Sequence, residues 1–258
     1  MLRSDNVVHL LLTRFNVIGG RVHSISNGWL EHRLKLFQSL CLPSVASQSD
    51  QGFVWLIFVD ESTNMDIVGR LGAFQRDRFF EICFCPRFDR RYFGDIVRAY
   101  SSGYDYVITS RLDNDDILHP SYIQRVRSGA IGDSKTGKFC ERYWVNLNNG
   151  YRLSSCGLYR MRAMSNSFIS LVEPVNGQYK LATVYAVNHT RAITIAPIRS
   201  VECTGSWIQV IHGYNLRNRI GIHEFPMRRS ESQARLSDFS PQVVSHCSRV
   251  LDGQWDLT

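Results

Sequence analysis

The sequence lacks the features that mark membrane-spanning, disulfide-bonded or zinc-stabilised proteins. No apolar run approaches the roughly 18 residues that a membrane span needs. The seven cysteines are scattered without a Cys-x-x-Cys pair, which predicts free buried thiols in a reducing cytoplasm. The amino end has a short apolar core but no small-residue cleavage site, so we expect a strand there and no export.

The chain also lacks internal repeats, a low-complexity linker and a lysine-rich tail. Its 258 residues, 44% hydrophobic content and net charge of +7 describe an ordinary globular protein. The basic residues are mostly arginine and are spread along the chain. This charge permits nucleic acid, an anionic membrane face or an anionic small substrate as a partner. A diphosphate-bearing substrate accounts for the arginines as economically as nucleic acid does.

Hydrophobic patterning predicts an α/β protein. Apolar strand patterns alternate with helical patterns through the first half of the chain, and the helix at Trp29–Cys41 is expected to end at Pro43. This alternation predicts a mostly parallel, Rossmann-like sheet with right-handed crossovers. The predicted strands of this half are Val7–Thr13, Phe53–Val59, Glu81–Cys85 and Tyr106–Thr109.

The second half predicts a mixed layer of short, mostly antiparallel strands on the same core. We expect one domain over residues 1–227, with a nucleotide-binding half at 1–120 and an acceptor half at 121–227. Residues 228–258 are weakly patterned and are expected to form a peripheral tail. The short strands are predicted at Tyr151–Leu153, Gly157–Met161, Thr183–Val187, Ile193–Ile198 and Trp207–Ile211.

An acidic motif directly follows the fourth predicted strand. Asp113, Asp115 and Asp116 crowd into four positions after Arg111. Ligands of open α/β sheets bind at the carboxyl ends of strands, and adjacent carboxylates repel unless a cation lies between them. Mg²⁺ or Mn²⁺ held by Asp113 and Asp115 would relieve that repulsion, and Arg111 presents a planar fork for phosphate oxygens. The alternative is a solvated turn in which Asp116 caps the next helix.

Polar residues also follow the other predicted strands of the first half. Thr13, Arg14 and Phe15 end the first strand, where Arg14 could reach phosphate and Phe15 could stack on a base. Asp60, after the second strand, is a candidate for a base or ribose hydroxyl, and Arg87 lies in a basic loop after the third. The alternatives are a surface Arg14, a core Phe15 and an Asp60 that begins the following helix.

The second half contributes further candidates for catalysis. Glu173 precedes a proline after an apolar run and could deprotonate an acceptor hydroxyl. His212, followed by glycine, could ligate Mn²⁺ or donate to a leaving phosphate. Asp116, Trp207 and His189 are expected on the acceptor side. The alternatives are a Glu173 in a surface turn, structural histidines and a Trp207 packed in the core.

Four motifs in order resemble the bacterial putative rhamnosyltransferase family, which belongs with the GT-A glycosyltransferases. The similarity runs from about Val7 to Ile220 and rests on Thr13–Asn16, Leu42–Val45, Ser110–Asp116 and Trp207–Gly213. The resemblance implies a GT-A fold, a nucleoside-diphosphate sugar donor and a divalent metal.

By this resemblance, Asp113 would hold the ribose or assist the metal. Asp115 would ligate the metal, and His212 would ligate it from the far side. Thr13, Arg14 and Asp60 would surround the base and ribose.

The function that the sequence predicts is metal-dependent transfer of a sugar from a nucleoside diphosphate to an acceptor hydroxyl. The acceptor is expected to be a carbohydrate, a lipid-linked molecule or a protein, and the basic surface permits peripheral contact with the inner membrane face. The alternatives are a nucleotidyltransferase, for which Gly19–Gly20 is a weak phosphate loop, and a basic nucleic-acid-binding domain. The three carboxylates of the acidic motif, which is the strongest candidate site, argue against binding of nucleic acid.

Overall fold

The first half of the chain alternates strands and helices, as the sequence predicts. The computed structural model describes residues 6–17, 25–75, 79–131, 142–175, 180–215, 220–221 and 224–255, and the Gly19–Gly20 loop lies outside them. Strands β1 to β4 are Val7–Arg14, Val54–Asp60, Glu81–Cys85 and Tyr106–Asp113. Helices α1 to α4 are Asn27–Leu36, Leu42–Ala46, Met65–Ala73 and Arg90–Tyr100, with a π-helical turn at Phe37–Cys41.

Capping side chains explain where three of these helices begin. Ser26, Asn64 and Asp89 each accept a hydrogen bond from a backbone N–H of the first turn. Asp60 therefore does not cap the helix that follows it. Pro43 does not end the first helical segment as expected, because it lies in the first turn of α2, where a missing N–H is tolerated.

The second half adds short strands and three helices. Strands β5 to β11 are Ile117–Leu118, Tyr143–Leu147, Asn149–Ser154, Gly157–Arg162, Ser170–Pro174, Ile198–Val201 and Trp207–Val210. Helices α5 to α7 are Tyr122–Ile131, Arg229–Leu236 and Pro241–Leu251, and a 3-10 helix covers His189–Thr194.

Two sheets organise the described residues. The central sheet has the order β10-β6-β9-β4-β1-β2-β3, and within it β9 runs antiparallel to both of its neighbours while the other pairs are parallel. The second sheet has the order β5-β11-β7-β8. The predicted α/β class, with a mostly parallel sheet and a mixed second layer, is confirmed.

Two predicted strands are wrong. Thr183–Val187 forms a turn, in which Thr183 has a φ of 60° that a strand does not tolerate. Ile193–Ile198 overlaps the end of the 3-10 helix, and β10 starts only at Ile198. Both segments are β-branched and apolar, so their composition resembles a strand, while their backbone is fixed by tertiary contacts.

The carboxyl-terminal segment is not a peripheral tail. Helices α6 and α7 bury Leu236, Val243, Cys247 and Val250 in one hydrophobic cluster with the second sheet, to which Ile208 belongs. Val243, Cys247 and Val250 recur at helical spacing in α7, so this helix carries an amphipathic signal that the prediction of a tail overlooks, whereas α6 is mostly polar. Residues 229–255 therefore belong to the core of the fold.

No helix of the described segments combines the length and apolar character that crossing a bilayer requires.

Candidate active site

The pleat of strands β1 and β4 decides which polar side chains share a site. Arg14 pairs in register with Asp113, and Leu12 pairs with Arg111. Residues two apart on a strand point to the same face, so Arg14, Arg111 and Asp113 lie on one face at the carboxyl ends of these strands. Asp115 follows directly. We call this part of the sheet, with Arg14, Arg111, Asp113 and Asp115, the acid edge.

Thr13 and Phe15 point to the opposite face and do not reach the acid edge. The Thr13 hydroxyl is fully buried and accepts a hydrogen bond from the Trp55 indole at 2.9 Å. Phe15 is also buried and packs edge-on against Phe37, with ring centroids 6.1 Å apart. The prediction that Thr13 and Phe15 bind the nucleotide is therefore wrong, and Phe15 is a core residue.

Arg14 is held between two aromatic rings. Its guanidinium carbon lies 5.1 Å from the centroid of Phe88 and 5.0 Å from that of Tyr185. The Tyr185 hydroxyl donates to the Leu12 carbonyl at 3.0 Å, which fixes one of the rings. Burial lowers the pKa of Arg14, and the nearby Arg111 lowers it further. The carbonyl of Val17 lies 3.5 Å from a terminal guanidinium nitrogen.

Asp113 forms a two-pronged ion pair with Arg111. One carboxylate oxygen lies 2.8 Å from the Arg111 Nη2, and the other accepts from both Nε and Nη2 at 3.2 and 3.1 Å. Burial would raise the pKa of Asp113, but Arg111 and then Arg14 outweigh it and lower the pKa to about 2. Asp113 is therefore a fixed anion, and 24% of its side chain remains exposed.

Asp115 is buried among groups from two other parts of the chain, helix α1 and the segment around His212. Its Oδ2 forms an ion pair with Arg33 of α1, lies 2.8 Å from His212 Nε2 and accepts from Asn215 at 3.2 Å. His32 lies beside His212, with ring centroids 4.8 Å apart. Burial would raise the pKa of Asp115, but Arg33 and His212 outweigh it and lower the pKa. The structure thus brings Asp115 and His212 together, as the resemblance implies.

Asp116 and Trp207 have structural positions. Asp116 is 1% exposed, and its carboxylate accepts from the backbone N–H of Val210 at 2.9 Å. Burial raises the pKa of Asp116 well above its usual range, and Asp115 raises it further. Trp207 is buried and stacks on Phe168, with centroids 4.6 Å apart. The predictions of acceptor binding by Asp116 and Trp207 are wrong, because neither side chain is accessible.

His189 approaches the acid edge from the 3-10 helix. Its Nδ1 is buried without a hydrogen-bond partner among the described residues. Burial lowers the pKa of His189, and Arg111 lowers it further while Asp113 opposes the shift. The lowered pKa favours the neutral imidazole, and the predicted acceptor role of His189 stays a prediction.

Asp60 and Arg87 end the two neighbouring strands at the same edge of the sheet. Asp60 is half-buried, and one of its carboxylate oxygens accepts from the backbone N–H of Ser62 at 2.9 Å. Its own N–H donates to Asn16 Oδ1 at 2.9 Å, which ties the ends of β1 and β2 together. Arg87 is exposed in the loop after β3. The predicted contacts of Asp60 and Arg87 with a nucleotide stay predictions.

Glu173 lies at the opposite end of the central sheet. It pairs in register with Val107 of β4, six residues before Asp113, so about 20 Å separates the two positions at ~3.3 Å per residue. Its carboxylate accepts from the backbone N–H groups of Ala182 and Thr183 at 2.9 and 2.8 Å, and it pairs with Arg142 at 2.9 Å. The prediction that Glu173 is the catalytic base is wrong, because β9 runs antiparallel.

Sequence reasoning missed several residues of this site. Arg33 carries a weak signal, since it follows Leu30 by three positions and precedes Phe37 by four, on the buried face of the helical segment. Tyr185 and Asn215 carry no comparable signal. Both lie in irregular segments whose path only the tertiary structure defines.

The predicted metal ligands do not form a ready metal site in this arrangement. Carboxylates and an imidazole are a suitable donor set for Mn²⁺. However, Asp113 is paired with Arg111, Asp115 is paired with Arg33, and His212 Nε2 is engaged with Asp115. Across the described part of the chain, no group of three His, Cys, Asp or Glu side chains has metal-binding geometry. The residues as arranged do not fit a metal ion, and the cofactor stays a prediction.

Comparison with known proteins identifies the family. The model of the family described as "Putative rhamnosyl transferase" matches residues 10–224, which include the whole acid edge. The chain belongs to this family. The sequence-based recognition and the prediction of a glycosyltransferase are therefore confirmed, and the family decides against the nucleotidyltransferase and nucleic-acid-binding alternatives.

Solved structures show distant likenesses to this transferase. Residues 1–349 of S. aureus TarS are 9% identical to this chain, with a TM-score of 0.43, and the match covers 96% of this chain and 70% of that chain. The structure of the same TarS fragment in complex with UDP gives the same values. HddC from Yersinia pseudotuberculosis is 9% identical with a TM-score of 0.37, covering 78% of this chain and 92% of that chain. Such scores carry no argument about function. The comparison with curated proteins finds no match for the sequence.

Proposed function

We propose that this glycosyltransferase moves a sugar, rhamnose according to the family description, from a nucleoside diphosphate to an acceptor hydroxyl at the acid edge. The observation that carries the proposal is that Arg14 of β1 pairs in register with Asp113 of β4, and that both side chains lie on the same face of the sheet as Arg111. Two guanidinium groups and a fixed carboxylate therefore converge at the carboxyl ends of adjacent parallel strands. Phosphorylated ligands of α/β sheets bind at such strand ends.

The transfer follows from the charges of this site. The acceptor oxygen forms a bond to the anomeric carbon while the bond from that carbon to the phosphate oxygen breaks. The electron pair of the broken bond stays on the phosphate, so negative charge develops on the leaving diphosphate. Arg14 and Arg111 are placed to stabilise that charge, which is the electrostatic form of catalysis. The acceptor proton passes to an oxygen of the leaving diphosphate or to water, since Glu173 is remote.

The remaining residues of the site divide between donor binding and positioning. Asp60 and Arg87 are proposed to contact the nucleoside, since Asp60 ends β2, the neighbour of β1, and Arg87 follows β3, the next strand outward. Asp115 is proposed to fix α1 and the segment around His212 against the acid edge through its contacts with Arg33 and His212. A divalent cation, Mn²⁺ or Mg²⁺, stays the cofactor predicted by the sequence, and none of the roles proposed for these residues requires it.

A cytoplasmic location, with contact to the inner membrane face, is part of the proposal. The cysteines of the described residues are free thiols, which is the state expected in a reducing compartment. The proposed acceptor is a hydroxyl of a carbohydrate, a lipid-linked molecule or a protein.

The test is donor turnover by the purified chain. The enzyme is incubated with UDP-, dTDP- and GDP-sugars, dTDP-rhamnose included, and release of the nucleoside diphosphate is measured with and without Mn²⁺ or Mg²⁺. We expect release from one donor class, and loss of that release in Asp113→Asn. A matched control is Asp50→Asn, which removes a carboxylate paired with Arg127 outside the site. Release from no donor, or equal release by wild type and Asp113→Asn, would contradict the proposal.

A further inference from the structure

Three arginines surround the two carboxylates for which the sequence predicts a metal ion. Arg111 pairs with Asp113, and Arg33 pairs with Asp115. Arg14 is the third, and it lies beside Asp113 on the neighbouring strand. Each carboxylate therefore already has a fixed cationic partner supplied by the protein. A divalent cation at Asp115 Oδ2 or His212 Nε2 would have to displace one of these contacts.

Arg14 differs from the other two arginines because no carboxylate of the described residues lies within ion-pair distance of it. Its Nε is buried without a hydrogen-bond partner. The polar groups near its guanidinium are the Val17 carbonyl, at 3.5 Å, and the Tyr185 hydroxyl. A buried cation with unused donors is costly unless an anion pairs with it. The side chain is nevertheless held in place by the rings of Phe88 and Tyr185.

A second buried nitrogen without a hydrogen-bond partner among the described residues belongs to another element. It is the Nδ1 of His189, whose imidazole is near enough to Arg111 and Asp113 for their charges to shift its pKa. Arg14 on β1 and Arg111 on β4 lie on one face of the sheet, and His189 on the 3-10 helix is within electrostatic reach of Arg111. A planar guanidinium fork matches the oxygens of a diphosphate, and an imidazole nitrogen donates to such oxygens when it carries the proton.

We infer that Arg14, together with Arg111 and His189, binds the diphosphate of the donor directly, so that donor binding needs no divalent cation. The inference rests on the proposed function and assigns the diphosphate subsite within it. Arg14 gains the anionic partner that the protein does not supply, and the rings of Phe88 and Tyr185 fix its orientation before the ligand arrives. Arg33 is excluded from this role because it holds Asp115.

The experiment measures binding of UDP, dTDP, GDP and CDP to the full chain by titration calorimetry and thermal shift. Each titration is run in EDTA and again with Mn²⁺ or Mg²⁺. Arg14→Met removes the fork and retains an unbranched side chain between the rings. Arg199→Met is the matched control, because Arg199 also stacks on an aromatic ring, 3.7 Å from the centroid of Tyr143, on the outer strand of the sheet. Arg14→Lys keeps the positive charge without the planar guanidinium fork, and it replaces Arg14→Met in the titrations if Arg14→Met does not fold.

We expect one of the nucleoside diphosphates to bind the wild-type protein in EDTA. The Arg199→Met control should bind it with the same affinity as wild type. Arg14→Met should weaken binding by about ten- to a hundredfold, the effect of losing charge-assisted hydrogen bonds, and Arg14→Lys by less. Binding only with a divalent cation would overturn the inference and leave the proposed function standing. Equal affinity of wild type and Arg14→Met or Arg14→Lys would overturn the assignment to Arg14. Binding of no nucleotide under any condition would overturn both.

Discussion

The two ends of the central sheet each carry a buried carboxylate paired with an arginine, yet only one of them is suited to bind a ligand. At the far edge, defined by Glu173 and Arg142, the carboxylate receives two backbone N–H groups and the guanidinium. Arg142 Nε and Arg14 Nε are both buried without a hydrogen-bond partner, but Arg142 Nε lies 2.9 Å from a Glu173 oxygen, whereas no carboxylate of the described residues lies within ion-pair distance of Arg14 at the acid edge. The paired charges at the far edge stabilise the fold, whereas the Arg14 guanidinium at the acid edge is available to an anion.

Strand direction explains why the sequence does not separate these two ends. Glu173 and Asp113 both end an apolar strand. Strand β9 runs antiparallel, so its carboxyl end meets the amino end of β4. A carboxylate at a strand end therefore indicates a ligand site only when the strand runs parallel to the ones that form that site.

The largest expected effect is that of Asp115→Asn on catalysis. The change leaves Arg33 buried without its anionic partner and weakens the contact with His212, so the groups around the acid edge lose their alignment. We expect donor turnover to fall by at least about a hundredfold, in the range found when a positioning contact of an active site is lost. Nucleoside diphosphate release is measured at a temperature at which circular dichroism shows a folded variant. Turnover within a few-fold of wild type would contradict the assigned role.

The second effect concerns the far edge, where Glu173→Gln should affect stability and not catalysis. The glutamine side chain keeps one acceptor oxygen but loses the negative charge that pairs with Arg142. We expect the free energy of unfolding to drop by about 1–3 kcal/mol, as for a buried hydrogen-bonded group. Urea unfolding measures this change, and donor turnover of the folded variant should match wild type. A stable variant without turnover would restore Glu173 as the base.

The third effect concerns the pH dependence of stability and comes from His9, which lies between the two edges. His9 is buried in β1 with its Nε2 2.7 Å from Ser110 Oγ. Burial, and to a lesser degree Arg127, lowers the pKa of His9 from 6.5 to about 3. The unfolded chain therefore binds a proton below pH 6.5 that the folded chain does not, and stability falls as the pH drops toward 3. The contribution is ~1.4 kcal/mol per pH unit in this window.

His9→Gln removes this contribution and keeps a polar side chain near Ser110. Urea unfolding at pH 6.5 and pH 5 should show a shallower loss of stability in the variant than in wild type. Equal losses in the two proteins would mean that His9 is not held neutral by the fold.

The smallest expected effect is that of Phe88→Leu at the acid edge. The change removes one of the two rings that hold the Arg14 guanidinium and leaves Tyr185 in place. A cation–π contact at a partly exposed site contributes about 0.5–1 kcal/mol, so nucleoside diphosphate affinity should fall by roughly two- to fivefold. Calorimetry measures the change against the Arg199→Met control. A loss as large as that of Arg14→Met would mean that Phe88 itself contacts the nucleotide.

Much of the fold was predictable because it follows from apolar runs and their spacing. Strands β1 and β2 have near-continuous apolar sequences, β3 and β4 contain shorter apolar runs, and the polar residues after β1 and β4 lie at one end of the sheet as expected. The resemblance implies that Asp115 and His212 ligate one metal ion from opposite sides; the structure brings the two side chains within 2.8 Å, and the shared metal stays a prediction. These features depend on local sequence or on ordered motifs.

The remainder depends on information that one sequence does not carry. Thr13, Arg14 and Phe15 are adjacent in sequence, and only the pleat sends Arg14 to the site and its neighbours to the core. The ion pair of Arg33 with Asp115 needs the packing of α1 against the sheet. The burial of α6 likewise follows from tertiary contacts, since its sequence is mostly polar.

The most direct test of the account is a crystal structure of the full chain with its nucleoside diphosphate, grown with Mn²⁺ and measured at the manganese absorption edge. The account predicts the diphosphate within hydrogen-bond distance of the Arg14 and Arg111 guanidinium groups, with no anomalous peak between it and Asp113. A manganese ion bridging the diphosphate to Asp113 and Asp115 would contradict direct binding by the arginines. A nucleotide bound at any other part of the sheet, the far edge included, would contradict the acid edge as the active site.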